Sequence, residues 1–327
     1  MIYRDYVYGK VNISDPIIIE IINSNPVQRL KNISQHGPSV YNKYYTKRII
    51  TRFEHSVGVY LLLKRFSVSV EEQVAGLLHD VGHTVFSHAI DFLFPEENSE
   101  YDKKYHRELI NKSDIPLILK KYHIDLKKVL NDNNFPIMEK PLPDLCADRI
   151  DYFLRDPYLA KNFNTKDLLN NLIVLNRNIV FKNRKIALSF ADNYMKINEL
   201  FWANPFEELL YFIMVDVIKI AFEKKIIQHE DLFLNEKKFL EKLKKSNNKD
   251  IFKKLKLLKN MKREKLIVSG NEIANSYLVK SKIRIVDPLV LDGKKLKRLS
   301  FLETNYKKSS DDFYNKQSKE RWVGYEK

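Results

Sequence analysis

The chain contains eight histidines, and four of them, His55, His79, His83 and His88, fall within one short stretch. Imidazole is the commonest metal-ligating side chain and the usual acid–base near neutral pH, so such clustering points to chemistry. The strings are TRFEHSVG, AGLLHDVGHTVFSHAID and, further on, CADRIDYFLRDP. His79 and Asp80 are adjacent where an apolar helix gives out before Gly82. Neighbours on a helix diverge by about 100°, so both reach one ion only if it sits against the helix end or side. His55 on the preceding helix and Asp148 on a later one are suitable further donors. Two imidazoles and two carboxylates suit a borderline divalent ion such as Mn²⁺, Fe²⁺ or Zn²⁺, with positions left for water and substrate. A thiolate-rich structural zinc site is excluded, because Cys146 is the single cysteine.

Other residues gather round this set. His83 and His88 lie near the same mouth without being needed as ligands, placed to protonate a leaving oxygen or bind a phosphoryl group, with Asp91 available to orient one of them. Asp148, Tyr152 and Arg155 fall at i, i+4 and i+7, hence on one helix face. A metal ligand, a ring and a guanidinium in that order would hold metal, sugar and phosphate. Arg52, three residues before His55, adds a cation. His123 and His229 receive no role, and Cys146 reads as buried filler with no base beside it.

The elements that must position these groups read mainly as helices. Apolar spacing predicts helices over 53–66, 71–80 and 206–225, and one opening at Pro141–Asp144 and stopping at Pro157. Residues 178–190 read as a β-hairpin around the polar turn Lys182–Lys185. Residues 236–265 hold 13 Lys and Arg against 4 Asp and Glu, with Ile251, Leu255 and Leu258 at helical spacing. That pattern predicts an amphipathic helix with a solvated basic face. Nucleic-acid binding by this face is the less favoured reading, because it lacks interleaved aromatics for stacking. Residues 277–291 alternate as an edge strand ending at Asp287-Pro288, and the last thirty residues are expected to be partly ordered. The expected fold is mainly α, a helical core over 1–235 followed by a basic helical and α+β extension over 236–327 with a few short strands.

Composition sets the outer bounds. The chain has 327 residues, 57 Lys+Arg against 42 Asp+Glu, a net charge of +15 and 44% hydrophobic residues. That is ample for a packed core and excludes a mainly disordered chain. With 8 Gly and 11 Pro, long helices are favoured over a turn-rich β fold. No apolar run reaches the roughly 18 residues of a membrane helix, and MIYRDYVYGK does not read as a signal peptide. The lone cysteine points to a reducing, cytoplasmic setting.

The order His55, His79-Asp80, Asp148 resembles the HD superfamily of metal-dependent phosphohydrolases. The longer strings TRFEHS, AGLLHDVGH with FSHAID, and DRIDYFLRD resemble its deoxynucleoside triphosphate triphosphohydrolase branch, as does VQRLKNISQHG with Gln35. The resemblance covers residues 1–160 well, runs more loosely to about 235, and KIRIVDPLV is similar to a later β portion. It implies an HD-domain helical core with His55, His79, Asp80 and Asp148 as metal ligands. It implies His83, His88 and His106 along the phosphates, one of them the general acid, supported by Asp91. Arg52 and Arg149 would contact phosphate oxygens, Tyr152 would pack on the sugar and disfavour a 2′-hydroxyl, Gln35 would reach the 3′-hydroxyl, and Asp156 would line the substrate pocket. The implied reaction converts a deoxynucleoside triphosphate to deoxynucleoside and inorganic triphosphate, with Mg²⁺ available to the substrate phosphates and a homo-oligomeric enzyme. The chain departs from the branch at Gln35-His36-Gly37, at Thr84-Val85 and at Arg107. Two other functions fit the same residues: an HD-type nucleoside monophosphatase or phosphodiesterase, and a non-catalytic nucleotide- or nucleic-acid-binding HD protein.

Overall fold

The computed structural model describes residues 1–94, 101–156 and 163–326. Its main helices are α1 (Pro16–Asn23), α2 (Arg52–Arg65), α3 (Val70–Leu78), α4 (Tyr101–Asn111), α5 (Ala147–Arg155), α6 (Arg184–Ile197), α7 (Pro205–Glu223), α8 (Glu236–Lys245), α9 (Lys249–Asn260) and α10 (Thr304–Gln317). The fold is mainly α, as the residue pattern predicts.

Helix α2 is the axis of the core. Phe53, Val57, Val59, Tyr60, Leu61, Leu62 and Leu63 are all buried, so the helix is apolar on nearly every side and other helices surround it. Two glycines set how closely they approach. A Cβ on Gly76 of α3 would meet Leu63 and Val59 of α2. A Cβ on Gly58 of α2 would collide with Arg155 Nη2 and Asp151 Oδ1 of α5. Helices α2, α3 and α5 carry the chemistry-bearing strings, and their close packing brings those strings to one place.

Strands β1 (Ile2–Asp5) and β2 (Gly9–Asn12) form an antiparallel pair. Strands β3 (Leu172–Leu175), β4 (Asn178–Phe181), β7 (Leu289–Asp292) and β8 (Lys295–Arg298) make a sheet in the order β3-β4-β7-β8, with β4 and β7 parallel. Strands β5 (Leu266–Ser269), β6 (Tyr277–Val279) and β9 (Arg321–Tyr325) make another in the order β5-β9-β6.

Several expected elements shift. The hairpin is β3–β4, turning at Asn176-Arg177, both at positive φ (50° and 56°), instead of around 182–185. Residues 184–197 are helix α6 because the Asn183 side chain caps it, accepting from the backbone N–H groups of Lys185 and Ile186. The 277–291 strand divides: β6 is an edge strand, as expected, while β7 begins at Leu289 and is flanked by β4 and β8. The stretch opened by Pro141 becomes helical only at Ala147 and ends at Arg155, and Pro157 lies outside the described residues. In 236–265, α8 and α9 bury Phe239, Leu243, Ile251 and Leu258, so their apolar stripe faces the core. The C-terminal residues are ordered as α10 and β9.

Candidate metal centre

Local signals place each donor. Thr51 and Glu54 form a reciprocal capping box, so α2 starts at Arg52 and His55 follows one turn later. Ser69 caps α3, which ends at Leu78 with His79 at its C-cap and Asp80 just beyond. Glu72 of α3 accepts the N–H groups of Ile137 (2.9 Å) and Met138 (3.0 Å). The carbonyls of Ile137 and Met138 in turn accept from the N–H groups of Ala147 (2.7 Å) and Asp148 (3.2 Å). A carboxylate in α3 thus sets where α5 begins and where Asp148 emerges.

The four donors converge. His55 Nε2 lies 2.8 Å from Asp148 Oδ1, 3.3 Å from His79 Nε2 and 4.0 Å from Asp80 Oδ2. His79 Nε2 lies 3.4 Å from Asp80 Oδ1 and 3.5 Å from Asp148 Oδ1. Both rings are oriented from behind. His55 Nδ1 sits 2.8 Å from Asp151 Oδ2, and His79 Nδ1 sits 2.8 Å from the Gly76 carbonyl. Those partners only accept, so each Nδ1 carries a hydrogen and each Nε2 is the nitrogen that faces inward, available to an ion once it gives up any proton it holds.

This arrangement fits a metal ion. Two imidazole nitrogens each about 2.1 Å from one ion, at tetrahedral to octahedral angles, stand roughly 3.0–3.4 Å apart, and the observed spacing is 3.3 Å. The two carboxylates bring negative charge to this spot that needs positive charge beside it, either protons on the rings or an ion that displaces them. His55, His79, Asp80 and Asp148 would hold it.

The electrostatics say the same. Burial pushes the Asp80 carboxyl up, but the charges of Arg52, His79 and His83 hold it well below the usual range. Asp148 is likewise lowered against burial by hydrogen bonds to His55 and His79. Burial opposes charge on His79, yet Asp80 and Asp148 raise it to about 10. Anionic groups therefore hold protons on the rings where an ion would replace them.

Around this centre, Arg52 Nη1 donates to Asp80 Oδ2 and Nε to Ser87 Oγ, both at 2.8 Å. His83 Nε2 is 3.1 Å from Asp80 Oδ1, and the His83 and His88 rings meet edge to face at 5.1 Å. His88 Nδ1 donates to Asp91 Oδ2 at 3.0 Å. Tyr152 stands 6.4 Å from the His55 ring and shares a hydroxyl hydrogen bond with Tyr194. His106 Nε2 donates to the Leu78 carbonyl at 2.7 Å, one residue before His79. Gln35 lies half-buried on the segment bridged to Thr51, and Asp156 is buried at the end of α5. Arg149 turns its Nη1 and Nη2 to the carbonyls of Asp144 and Lys140, where it holds the turn before α5.

Arg155 is a correction. It does not face a phosphate; it is fully buried, with Nε on Asp151 Oδ2 at 2.6 Å and Nη2 on Asp5 Oδ2 at 2.9 Å. Residues 148, 152 and 155 share a face only loosely, and a buried guanidinium goes to the buried carboxylates. His229 packs among Tyr105 and Phe233, His123 is exposed, and burial pushes the Cys146 thiol up, so none of these acquires chemistry.

Sequence reasoning missed four contributors. Asp151 orients His55, and its signal was present: a second acid three residues after Asp148, hence near it on α5. Glu139 stands behind Asp148, with ligand atoms of Glu139, Cys146 and Asp148 within 4.8 Å of one another. Burial and the Asp148 charge push Glu139 up to about 7. Trp202 adds an edge-on ring 5.0 Å from Tyr152. Ser87 bridges Arg52 to the Ser34 carbonyl, with Oγ 2.6 Å from that oxygen.

A sequence profile described as "HD domain" matches residues 52–156, the span that holds all four donors. The chain is 34% identical over 320 residues to the uncharacterized protein YdhJ of Bacillus subtilis, covering 96% of each. The chain belongs to the HD family. This HD chain is also 34% identical over 216 residues to the metal-dependent phosphohydrolase cns2 of Cordyceps militaris, covering 63% of this chain and 61% of that protein. It is 30% identical over 144 residues to the mouse deoxynucleoside triphosphate triphosphohydrolase SAMHD1, covering 37% of this chain and 21% of that one. A hypothetical protein from Aquifex aeolicus shares the HD chain's fold, with a TM-score of 0.72 at 20% identity over 99% of this chain and 96% of that one.

Proposed function

We propose that this HD protein hydrolyses deoxynucleoside triphosphates to deoxynucleoside and inorganic triphosphate, with one divalent transition metal, Mn, Fe or Zn, held by His55, His79, Asp80 and Asp148. The coarser activity, metal-dependent phosphohydrolysis, follows from HD membership and the His/Asp cluster. The observation that carries the reading is the inward convergence of His55 Nε2 and His79 Nε2 with the carboxylates of Asp80 and Asp148. When bound, the ion supplies Lewis-acid polarisation of a phosphoryl group.

The chain's own residues do the rest. Arg52, held on Asp80 and Ser87 through Nη1 and Nε, presents Nη2, which has no hydrogen-bond partner among the described residues, to a phosphate oxygen. His88, anchored through Nδ1 on Asp91, turns Nε2 towards proton transfer, and His83 adds a donor beside it. Tyr152, backed by Tyr194 and Trp202, supplies a flat wall next to His55 for a sugar. Gln35, Asp156, His106 and Arg149 complete the pocket in this reading, and Mg²⁺ accompanies the phosphates. The deoxynucleotide assignment is supported by the resemblance of three strings and by the printed activity of the mouse relative. A cytoplasmic setting and a homo-oligomeric enzyme belong to the same reading. No helix among the described residues is long and apolar enough to cross a membrane.

Product analysis tests it. Metal-loaded protein is incubated with deoxynucleoside triphosphates, monophosphates and cyclic nucleotides, and the products are separated. Release of deoxynucleoside with intact triphosphate is expected. Orthophosphate from monophosphates alone, or ring opening of cyclic nucleotides, would move the function to a monophosphatase or phosphodiesterase. Nucleotide or nucleic-acid binding without turnover would make the protein a binding module.

A further inference from the structure

Glu236 is the first residue of α8, and its carboxyl is turned inward with the residue 4% exposed. Oε1 accepts the backbone N–H groups of Ser34 at 3.0 Å and Phe86 at 3.2 Å, and Oε2 accepts the Tyr41 hydroxyl. Beside it the Phe86 ring meets Tyr41 and Phe239 edge-on, each at 5.6 Å. A buried carboxyl in such a place is costly unless its hydrogen bonds are needed.

What it holds leads to the metal centre. Phe86 and Ser87 are both in the left-handed region, φ 60° and 52°, which non-glycine residues keep only when the surroundings impose it. Glu236 fixes the Phe86 N–H, and the Leu232 carbonyl fixes the Val85 N–H at 2.9 Å. Ser87 Oγ then donates to the Ser34 carbonyl at 2.6 Å and accepts from Arg52 Nε at 2.8 Å. Arg52 Nη1 reaches Asp80. Glu236 thus grips the residue at one end of the Ser34–Ser87 link and the neighbour of the residue at the other, from outside the 52–156 span of the family match.

We infer that Glu236 is a positioning residue: by holding Ser34 and Phe86 it keeps Ser87 and Arg52 aligned on Asp80 and on a bound phosphate chain. The inference rests on the reading of Arg52 as a phosphate contact and not on which nucleotide is cleaved.

A double-mutant cycle tests it. Wild type, Glu236→Ala, Arg52→Ala and the double variant are metal-loaded and checked for fold by circular dichroism. The Kd for inorganic triphosphate is then measured by calorimetry, alongside deoxynucleotide turnover. Glu236→Ala is expected to weaken triphosphate binding about tenfold or more with metal content unchanged, the range seen when a group supporting a ligand is lost. In the Arg52→Ala background the same change is expected to add less than about threefold, because both act through one contact. Glu236→Gln, which keeps Oε1 as acceptor, is expected to stay near wild type. A folded Glu236→Ala with wild-type Kd, additive losses in the double variant, or no triphosphate binding by wild type would each overturn the inference. If Glu236→Ala does not fold, Glu236→Asp, whose shorter side chain draws the carboxylate away from the Ser34 and Phe86 N–H groups, takes its place in the cycle with the same expectation and the same overturning results. The cycle appearing in Kd while no deoxynucleotide is turned over would remove the substrate reading and leave the role of Glu236 standing.

Discussion

His55 Nε2 and His79 Nε2 face each other across 3.3 Å, each ring fixed from behind by an acceptor on its Nδ1. Helices α2 and α3 meet so that the two Nε2 atoms face each other, with Asp80 Oδ1 3.4 Å and Asp148 Oδ1 3.5 Å from His79 Nε2. The acids around the pair hold positive charge there, as ring protons or as an ion that displaces them.

Metal uptake should release protons. Burial opposes it, but Asp80 and Asp148 hold the His79 imidazole up at about 10, so at neutral pH an incoming ion displaces a proton. Titrating Mn²⁺ or Zn²⁺ into weakly buffered protein at pH 7 should acidify it by about one proton or more per ion bound. Affinity should rise with pH over this range. Stoichiometric binding without acidification would show that the rings are already neutral.

Asp151→Asn should weaken the metal centre without touching a ligand. The His55 Nδ1–H loses its carboxylate acceptor, and metal affinity should fall roughly 10- to 100-fold. The same change leaves Arg155, fully buried, with Asp5 as its remaining carboxylate, so stability should drop by about 3 kcal/mol or more. Tyr8→Phe removes only the hydroxyl that donates to Asp151 at 2.9 Å and should leave metal affinity close to wild type. Equal metal affinity in Asp151→Asn and wild type would remove the orienting role.

Gly58→Ala should be as damaging as a core deletion, although it adds one methyl. The Cβ would occupy the space of Arg155 Nη2 and Asp151 Oδ1, so α2 and α5 must separate. A loss of about 2–3 kcal/mol, the upper range for overpacking, is expected in urea denaturation, with weaker metal binding. A variant as stable as wild type would mean that α5 moves freely.

The Glu236 carboxyl should make stability depend on pH. Burial pushes it up to about 7, against the donors Tyr41, Ser34 and Phe86 and the charge of Arg52. Between the ordinary 4.5 and about 7 the folded chain binds more protons at this site than the unfolded chain. Its contribution therefore falls as pH rises through that window and is flat above, by up to about 3 kcal/mol. Unfolding of wild type and Glu236→Gln at pH 5 and pH 8 checks this. The variant should lack that part of the slope, and identical slopes would contradict it.

The donors were legible because their chemistry is local: His55 follows a Thr-x-x-Glu cap, and His79-Asp80 sits where α3 gives out. Asp148 was legible beside them, and the close packing of α2 on α5 could be read only after the fold. Arg155 was misassigned for that reason, since Asp5, its partner, lies 150 residues away in sequence. The hairpin moved because Asn176-Arg177, without glycine, carries a weak turn signal, while Asn183 reads equally as a turn residue and a helix cap. Glu236 had no sequence signal, because its partners Ser34 and Phe86 lie 202 and 150 residues away.

Metal content and triphosphate release, measured together on wild type and Asp80→Ala, decide whether the His/Asp centre holds an ion and uses it. About one transition-metal ion per wild-type chain is expected, with inorganic triphosphate released from a deoxynucleotide, and both should be lost in the variant. A wild-type chain that takes up no metal under any loading condition, or an Asp80→Ala chain that keeps both metal and turnover, would contradict this expectation.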